Sequence, residues 1–220
     1  MRSYTWHEII FKIILPAVWE TVQMVIPAML LACLLGFTLA VLMFITRPNG
    51  LHPNKRVYFV FNIVISVVRA FPFVILIVSI QPLTRAIVGT IIGTKAAIVP
   101  LTLAATPFMA RMFENSLKEV DLSLIEAAKS LGATDLQLIR DVVLVEAVPS
   151  LISNMILCII QILGLSTIAG TVGGGGLGTT AITYGYQSFN LTIMYTVCIL
   201  LCVIVLLIQS AGDYIYKKYK

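Results

Sequence analysis

The sequence predicts an all-α integral membrane fold, with five transmembrane helices, an N-terminal interfacial helix and one cytoplasmic loop built around a short helix. Three observations carry this. Of 220 residues, 59% are apolar and 11% charged, and the mean hydropathy is +1.00, a balance foreign to water-soluble domains. Windows long enough to cross a bilayer and almost free of charge recur along the chain. The lysines and arginines gather in alternate connections between those windows.

The elements follow in chain order. Residues 1–20 carry Arg2, Glu8, Lys12 and Glu20 and show no small-x-small cleavage site, so they read as a retained segment and not a removable signal. Trp6, Ile9, Ile10, Ile13 and Ile14 repeat at the spacing of one helical face, with Pro16 expected to break the run; this helix is expected to lie along the membrane surface. A hydrocarbon core of roughly 30 Å needs about 20 helical residues. The first span is placed at 21–46 and the second at 57–80, which is apolar apart from Arg69. The third, 95–112, is short, bordered by charge and holds Pro100 and Pro107; the fourth is 151–169 and the fifth 191–210. Residues 213–220 form a basic tail.

Cations accumulate on the cytoplasmic side of short loops. Arg47, Lys55, Arg56, Arg111, Lys118, Lys129, Arg140, Lys217, Lys218 and Lys220 fall on one side, and Arg2, Lys12, Arg85 and Lys95 on the other. With five spans this places the N-terminus outside and the C-terminus in the cytoplasm. The long connection from Arg111 to Ala147 is cytoplasmic and has a net charge of −3. Within it, Ser123-x-x-Glu126 reads as a capping box and Gly132 as a left-handed helix stop, which delimits a helix from Leu124 to Leu131. Thr134-x-x-Gln137 starts a second helix that runs toward Pro149 and the fourth span. A two-turn helix is unstable alone in water, so the first must dock. Its face, Val120, Leu124, Ala127, Ala128 and Leu131, offers small and apolar side chains either to its own chain or to a cytoplasmic partner.

The run Glu126-Ala127-Ala128-x-x-x-Gly132, followed by Val142-x-Leu144, resembles the EAA loop of type I ABC importer permeases; Val145 stands where that pattern has proline. Further similar segments are Trp19-Glu20-Thr21, Thr46-Arg47-Pro48, Arg69-Ala70-Phe71-Pro72-Phe73, Ala97-Ile98-Val99-Pro100-Leu101, Gly174-Gly175-Gly176-Leu177-Gly178 and Gln209-Ser210-Ala211-Gly212-Asp213. Together they look closest to the methionine-import branch of that superfamily. The resemblance implies an ABC transmembrane type-1 domain over 21–212, with 113–147 as its coupling loop and Glu126, Ala127, Ala128, Leu131 and Gly132 as ATPase-coupling residues. It also implies a second copy of the permease, two ATP-binding subunits that carry ATP and magnesium, and an extracytoplasmic methionine-binding lipoprotein. The expected setting is a bacterial inner membrane.

Seven of the 14 glycines lie between Gly170 and Gly185, either as a flexible loop or as an irregular segment packed closely against helices. Gly173-x-Gly175-x-x-Gly178 matches a dinucleotide fingerprint but follows a membrane helix rather than a strand, and Gly173-x4-Gly178 lacks the lysine of a phosphate loop. No nucleotide site is therefore expected on the chain. Arg69 sits about 18 Å into the second span, so it should face protein or water. Pro72 should kink or break the helix beside it, leaving Arg69 either to cap the freed carbonyls or to meet a substrate carboxylate. Ser150, Asn154 and Gln161 share a face of the fourth span, with Ser166 and Thr167 near its outer end. Asn154, Gln161, Ser166 and Thr167 are candidate pathway or gate residues; interhelical hydrogen bonding is the plainer role for such a stripe. The third span's prolines fit a path bounded by interrupted helices.

Other classes fare worse. No basic stripe interleaved with aromatics suggests nucleic acid, and Cys33, Cys158, Cys198 and Cys202 lack any pair spacing for metal or disulfide. An ion-coupled carrier usually needs Asp, Glu or His at depth, and the five windows contain none. His7 and His52 lie outside them, which disfavours a histidine-based intramembrane enzyme. The sequence alone does not separate methionine from another small amino acid or an oxyanion; that choice rests on the resemblance. Hydrolysis is expected on a separate subunit, so the chain is not itself an enzyme.

Overall fold

A computed structural model describes residues 5–219, all of whose regular structure is helical. Arg2 and Lys220, both counted toward the orientation, lie outside the described residues. In chain order the helices are α1 (Trp6–Thr46), α2 (Lys55–Ala70), α3 (Phe73–Ser79), α4 (Gln81–Val88), α5 (Thr94–Lys118), α6 (Leu122–Ser130), α7 (Asp135–Thr171), α8 (Gly176–Thr180, continued by a wide turn over Ala181–Gln187) and α9 (Leu191–Tyr219). Four of them, α1, α5, α7 and α9, are long and apolar enough to cross a membrane, and the pair α2 and α3 supplies the fifth span if taken together. The five-span architecture is the one expected.

The pair α2 and α3 is bent by 100°. The break falls at Phe71 and Pro72: Pro72 is extended (φ −60°, ψ 127°) and its carbonyl accepts from the N–H groups of Ile75 and Leu76, so it opens a new helix. The other prolines leave their helices unbroken. Pro100 and Pro107 lie within a continuous α5, which corrects the expectation of an interrupted third span. Pro149 lies inside α7, so the helix started by Thr134 and the fourth span are continuous. Neighbouring helices and local widening of the turn absorb a missing N–H in this setting.

Pro16 does not end the N-terminal helix either. Residues Ile9–Ile14 wind as a π segment in which the N–H of Leu15 reaches the carbonyl of Ile10, and this wider turn precedes the proline. Half of the face expected to meet lipid instead meets protein: Ile9 and Ile14 are buried with Ala17, Leu177, Ile193 and Val197, while Trp6 and Ile10 stay exposed. The basic tail likewise continues α9 to Tyr219.

The chain divides into two units. Unit 1 comprises Met1–Ala32, Phe71–Ala105 and Ile159–Ile208; unit 2 comprises Cys33–Ala70, Thr106–Cys158 and Gln209–Lys220. Unit 1 is centred on the cluster around Ile9 and Ile193 and holds the glycine-rich segment. Unit 2 holds α6, with a core of Met43, Ile65 and Ala110 against which Leu39, Tyr58 and Phe61 pack.

Candidate functional site

Helix α6 is defined by its caps. Asp121, not Ser123, is the N-cap: its extended backbone (φ −62°, ψ 128°) turns the carboxylate onto the N–H of Ser123 at 2.9 Å. That bond and a second one from the Ser123 hydroxyl hold the Asp121 carboxyl below its ordinary range. The helix therefore starts two residues before the predicted position. At the other end Gly132 has φ +83°, its N–H bonds the carbonyl of Lys129 at 2.9 Å, and the N–H of Ala133 bonds the carbonyl of Ala128 at 3.1 Å. This is a Schellman closure, at the glycine expected to stop the helix.

One side of α6 is fastened. Ile125 is buried and lines, with Leu122, Glu126 and Lys129, a cavity of about 120 Å³ against Phe44, Arg47 and Leu51. The Arg47 guanidinium lies 4.2 Å from the centre of the Phe44 ring. Burial lowers its pKa, against the opposing pull of Glu114 and Tyr58. The other side is open: Glu126 and Ala127 are exposed, Leu124 is 43% and Leu131 90% exposed, and Ala128 is half-buried. Val120, placed on the same face by periodicity, is buried instead because it precedes the cap. A second tie fixes the far end of the loop. Thr134 and Gln137 form the capping box read from the sequence, and His52 Nε2 lies 2.6 Å from Asp135 Oδ2 in the first turn of α7.

The end of α5 that leads to α6 holds a buried charge. Glu114 is fully buried; its Oε2 accepts from Arg111 Nη1 at 2.7 Å, and its Oε1 from Lys118 Nζ at 2.5 Å and Tyr58 Oη at 2.9 Å. Arg111 Nη2 donates to Asn62 Oδ1 at 2.6 Å. Helix α5 runs on past residue 112, where the sequence places the end of the third span, to Lys118, and Glu114 lies in this continuation. Its burial is compensated by cations three residues before and four residues after it on the same helical face. That spacing was visible in the sequence; the partners Tyr58 and Asn62 on α2 were not.

The polar stripe of the fourth span divides. Asn154 Nδ2 donates to Ser116 Oγ at 2.7 Å and to the carbonyl of Met112 at 3.3 Å, and Ser150 Oγ donates to Ser116 Oγ at 3.2 Å. These bonds join α7 to α5 within unit 2, beside a cavity of about 440 Å³ lined in part by Glu119, Glu146, Ser153 and Tyr216. Gln161 is exposed, and its side chain forms no hydrogen bond among the described residues. Ser166 and Thr167 turn back onto the carbonyls of Leu163 and Gly164 of their own helix, each at 2.7 Å. Arg69 is exposed at the end of α2, with its guanidinium 5.8 Å from the Phe108 ring centre; among the described residues it donates to none of the carbonyls freed at Pro72.

Within unit 1 the glycine-rich segment packs closely instead of forming an open loop. A Cβ on Gly178 would stand 2.2 Å from the carbonyl oxygen of Thr167, so backbone meets backbone there. Gly176 has φ +75° and its N–H donates to Glu20 Oε2 at 2.7 Å, while the N–H of Leu177 donates to Thr21 Oγ1 at 2.9 Å. Two side chains of α1 thus satisfy the first N–H groups of α8. Glu20 and Thr21 carry no local sequence signal for this role, because their partners lie 156 positions away.

Over 213 residues the chain is 43% identical to the probable D-methionine transport system permease protein MetI of Vibrio cholerae, covering 97% of this chain and 95% of that one. It is 41% identical over 174 residues to the methionine import system permease protein MetP of Bacillus subtilis, covering 79% and 78%. A solved structure of the MetNI methionine ABC transporter in an inward-facing conformation superposes with a TM-score of 0.95 at 40% identity, covering 99% of this chain and all of that one. An amino acid ABC transporter crystallised with histidines shares the fold at TM-score 0.79 and 18% identity. A family profile described as the inner membrane component of binding-protein-dependent transport systems matches residues 43–220, and the chain belongs to that family.

Proposed function

We propose that this chain is the permease subunit of an ATP-driven importer that carries methionine across the bacterial inner membrane. The observation that carries the reading is α6: a nine-residue helix capped at both ends, fastened by Ile125 on one side and presenting Leu124, Ala127 and Leu131 on the other. A short helix so firmly closed, with an apolar face left open, is built to be gripped. The relatives named for methionine transport, at about 40% identity over most of the chain, support the substrate.

In this reading two copies of the chain form the pathway, and two ATP-binding subunits, which hold ATP and magnesium, bind the α6 helices from the cytoplasm. The N-terminus faces outward and the C-terminus inward, as the distribution of cations favours. An extracytoplasmic methionine-binding lipoprotein delivers substrate to the outer face. Closure of the ATP-binding pair displaces α6, and with it the ends of α5 and α7 that flank it in sequence. Glu126, Ala127, Ala128, Leu131 and Gly132 make or support the grip. Asn154, Gln161, Ser166 and Thr167 are proposed to border the path or its gate, and Arg69 and Pro72 to shape the broken second span.

The test is reconstitution in proteoliposomes with the ATP-binding and substrate-binding partners, followed by uptake of labelled amino acids. Methionine accumulation that requires ATP is the expected result. Accumulation of a different solute, with methionine excluded, contradicts the substrate assignment; accumulation without ATP contradicts the mechanism.

A further inference from the structure

We infer that Glu114 is a positioning residue for coupling: it joins α2 to the end of α5 so that a displacement of α6 is delivered to the broken second span. The inference rests on the proposed ATP-driven transport and adds to it the joint through which motion leaves α6.

The geometry is specific. Arg111, Glu114 and Lys118 occupy one face of the last two turns of α5. Across from them Tyr58 and Asn62 lie one turn apart on α2. Glu114 holds all of these together. Its oxygens take Arg111, Lys118 and Tyr58, Arg111 passes on to Asn62 at 2.6 Å, and the Lys118 ammonium donates to Tyr58 Oη at 3.1 Å. The apolar cluster of Met43, Ile65 and Ala110 also lies in unit 2, with Tyr58 packed against it. Three residues after Lys118, α6 begins with its cap at Asp121, and Val120 between them is buried. A pull on α6 therefore acts on the end of α5 through a very short lever.

An apolar contact at this joint could slide, because dispersion has little directionality. Charge-assisted hydrogen bonds to a fully buried carboxylate are directional, and a one-sided loss leaves that charge uncompensated. The joint is therefore either fully made or broken. Motion that reaches α2 continues toward the break at Phe71 and Pro72. Arg69 and Pro72, at the break, stand at the receiving end of this route and not at its source.

The experiment uses the full complex in proteoliposomes and measures methionine uptake and ATP hydrolysis on the same preparation. Glu114→Gln leaves Arg111 and Lys118 facing a neutral amide. Tyr58→Phe combined with Asn62→Leu cuts the bonds from α2 while the triplet on α5 keeps all its charges, which guards against a folding defect in the first variant. Both are expected to hydrolyse ATP within about twofold of the parent while methionine moved per ATP falls fivefold or more. Hydrogen exchange supplies a readout independent of the substrate. A non-hydrolysable nucleotide should alter exchange in α2 of the parent but only in α5 and α6 of the double variant. An unchanged transport ratio in the double variant, or uptake and hydrolysis declining in step, overturns the inference, as does an α2 response that survives the substitutions. Failure of the parent itself to import methionine counts against the proposed function instead, and the exchange measurement still decides the role of the joint.

Discussion

The backbone N–H of Gly176 and the carboxylate of Glu20, 156 positions apart in the chain, are joined at 2.7 Å. Beside them Thr21 accepts from Leu177 at 2.9 Å while its own hydroxyl donates to the carbonyl of Ala17. The first long helix thereby closes the start of α8, whose glycines offer no side chain to do so. In the proposed transporter this clasp holds the segment that follows the fourth span.

Replacing Thr21 with Val keeps the shape and removes the acceptor of a buried N–H. Loss of one such bond costs about 1–3 kcal/mol, so Thr21→Val should lower the melting temperature of the purified protein. It should also speed hydrogen exchange at Leu177 by about tenfold or more, since about 1.4 kcal/mol corresponds to one decade. Glu20→Gln retains a carbonyl acceptor and should have a smaller effect. Equal exchange in Thr21→Val and the parent would show that the clasp contributes nothing.

Two glycines provide a matched pair. At Gly178 an added methyl meets the Thr167 carbonyl at 2.2 Å, whereas at Gly164, inside α7, nothing lies within 4 Å. Gly178→Ala should destabilise by about 1–3 kcal/mol through overpacking. Gly164→Ala should be neutral, or stabilise by up to about 1 kcal/mol through the lower chain entropy of alanine. Thermal unfolding in detergent distinguishes them; the reverse order would contradict the close packing of the glycine-rich segment.

Gly132→Ala forces a side chain into left-handed geometry at a cost of about 1–2 kcal/mol. The Schellman closure should fray, with faster exchange at Lys129 to Ala133 and reduced ATP-driven uptake. Leu131→Asp alters only an exposed side chain and should leave the melting temperature within a degree or two while abolishing uptake. Parallel losses of stability in both variants would show that Leu131 acts in folding and not in docking.

The start of α6 should depend on acidity. The folded pKa of Asp121 is depressed by its bonds to Ser123, so the folded helix binds fewer protons than the unfolded segment. The stabilisation is complete above the ordinary carboxylate value of about 4 and disappears as pH falls through the depressed folded value. Protection of the Ser123 amide, corrected for intrinsic exchange, should therefore hold down to about pH 4 and decline below it. Asp121→Asn keeps the acceptor and should remove the pH dependence. A parent and Asn variant with identical acid profiles would assign the effect to another group.

Features governed by local rules were legible in the sequence, and those made by distant partners were not. Gly132 announced itself because a left-handed helix stop favours glycine strongly. Asp121 and Ser123 each suit an N-cap, and the sequence has no means of choosing between caps two residues apart that share one turn. Pro72 breaks a helix while Pro100, Pro107 and Pro149 do not, since the outcome depends on which neighbours compensate the lost N–H. Glu114 falls just beyond the third span as placed from the sequence, among the charges of the long connection. Its neutralisation by Arg111 and Lys118 follows helical spacing, but the bonds to Tyr58 and Asn62 cross 56 and 49 positions. The polar stripe on the fourth span was readable as a set, yet only Ser150 and Asn154 meet a partner on another helix among the described residues.

A photo-reactive amino acid at position 131, placed in the complete complex in native-like membranes, tests the grip on α6 directly. The proposed arrangement predicts a covalent product with the ATP-binding subunit whose yield changes between nucleotide-free and ATP-bound states. Adducts to lipid alone, or to a protein on the outer face of the membrane, would contradict it.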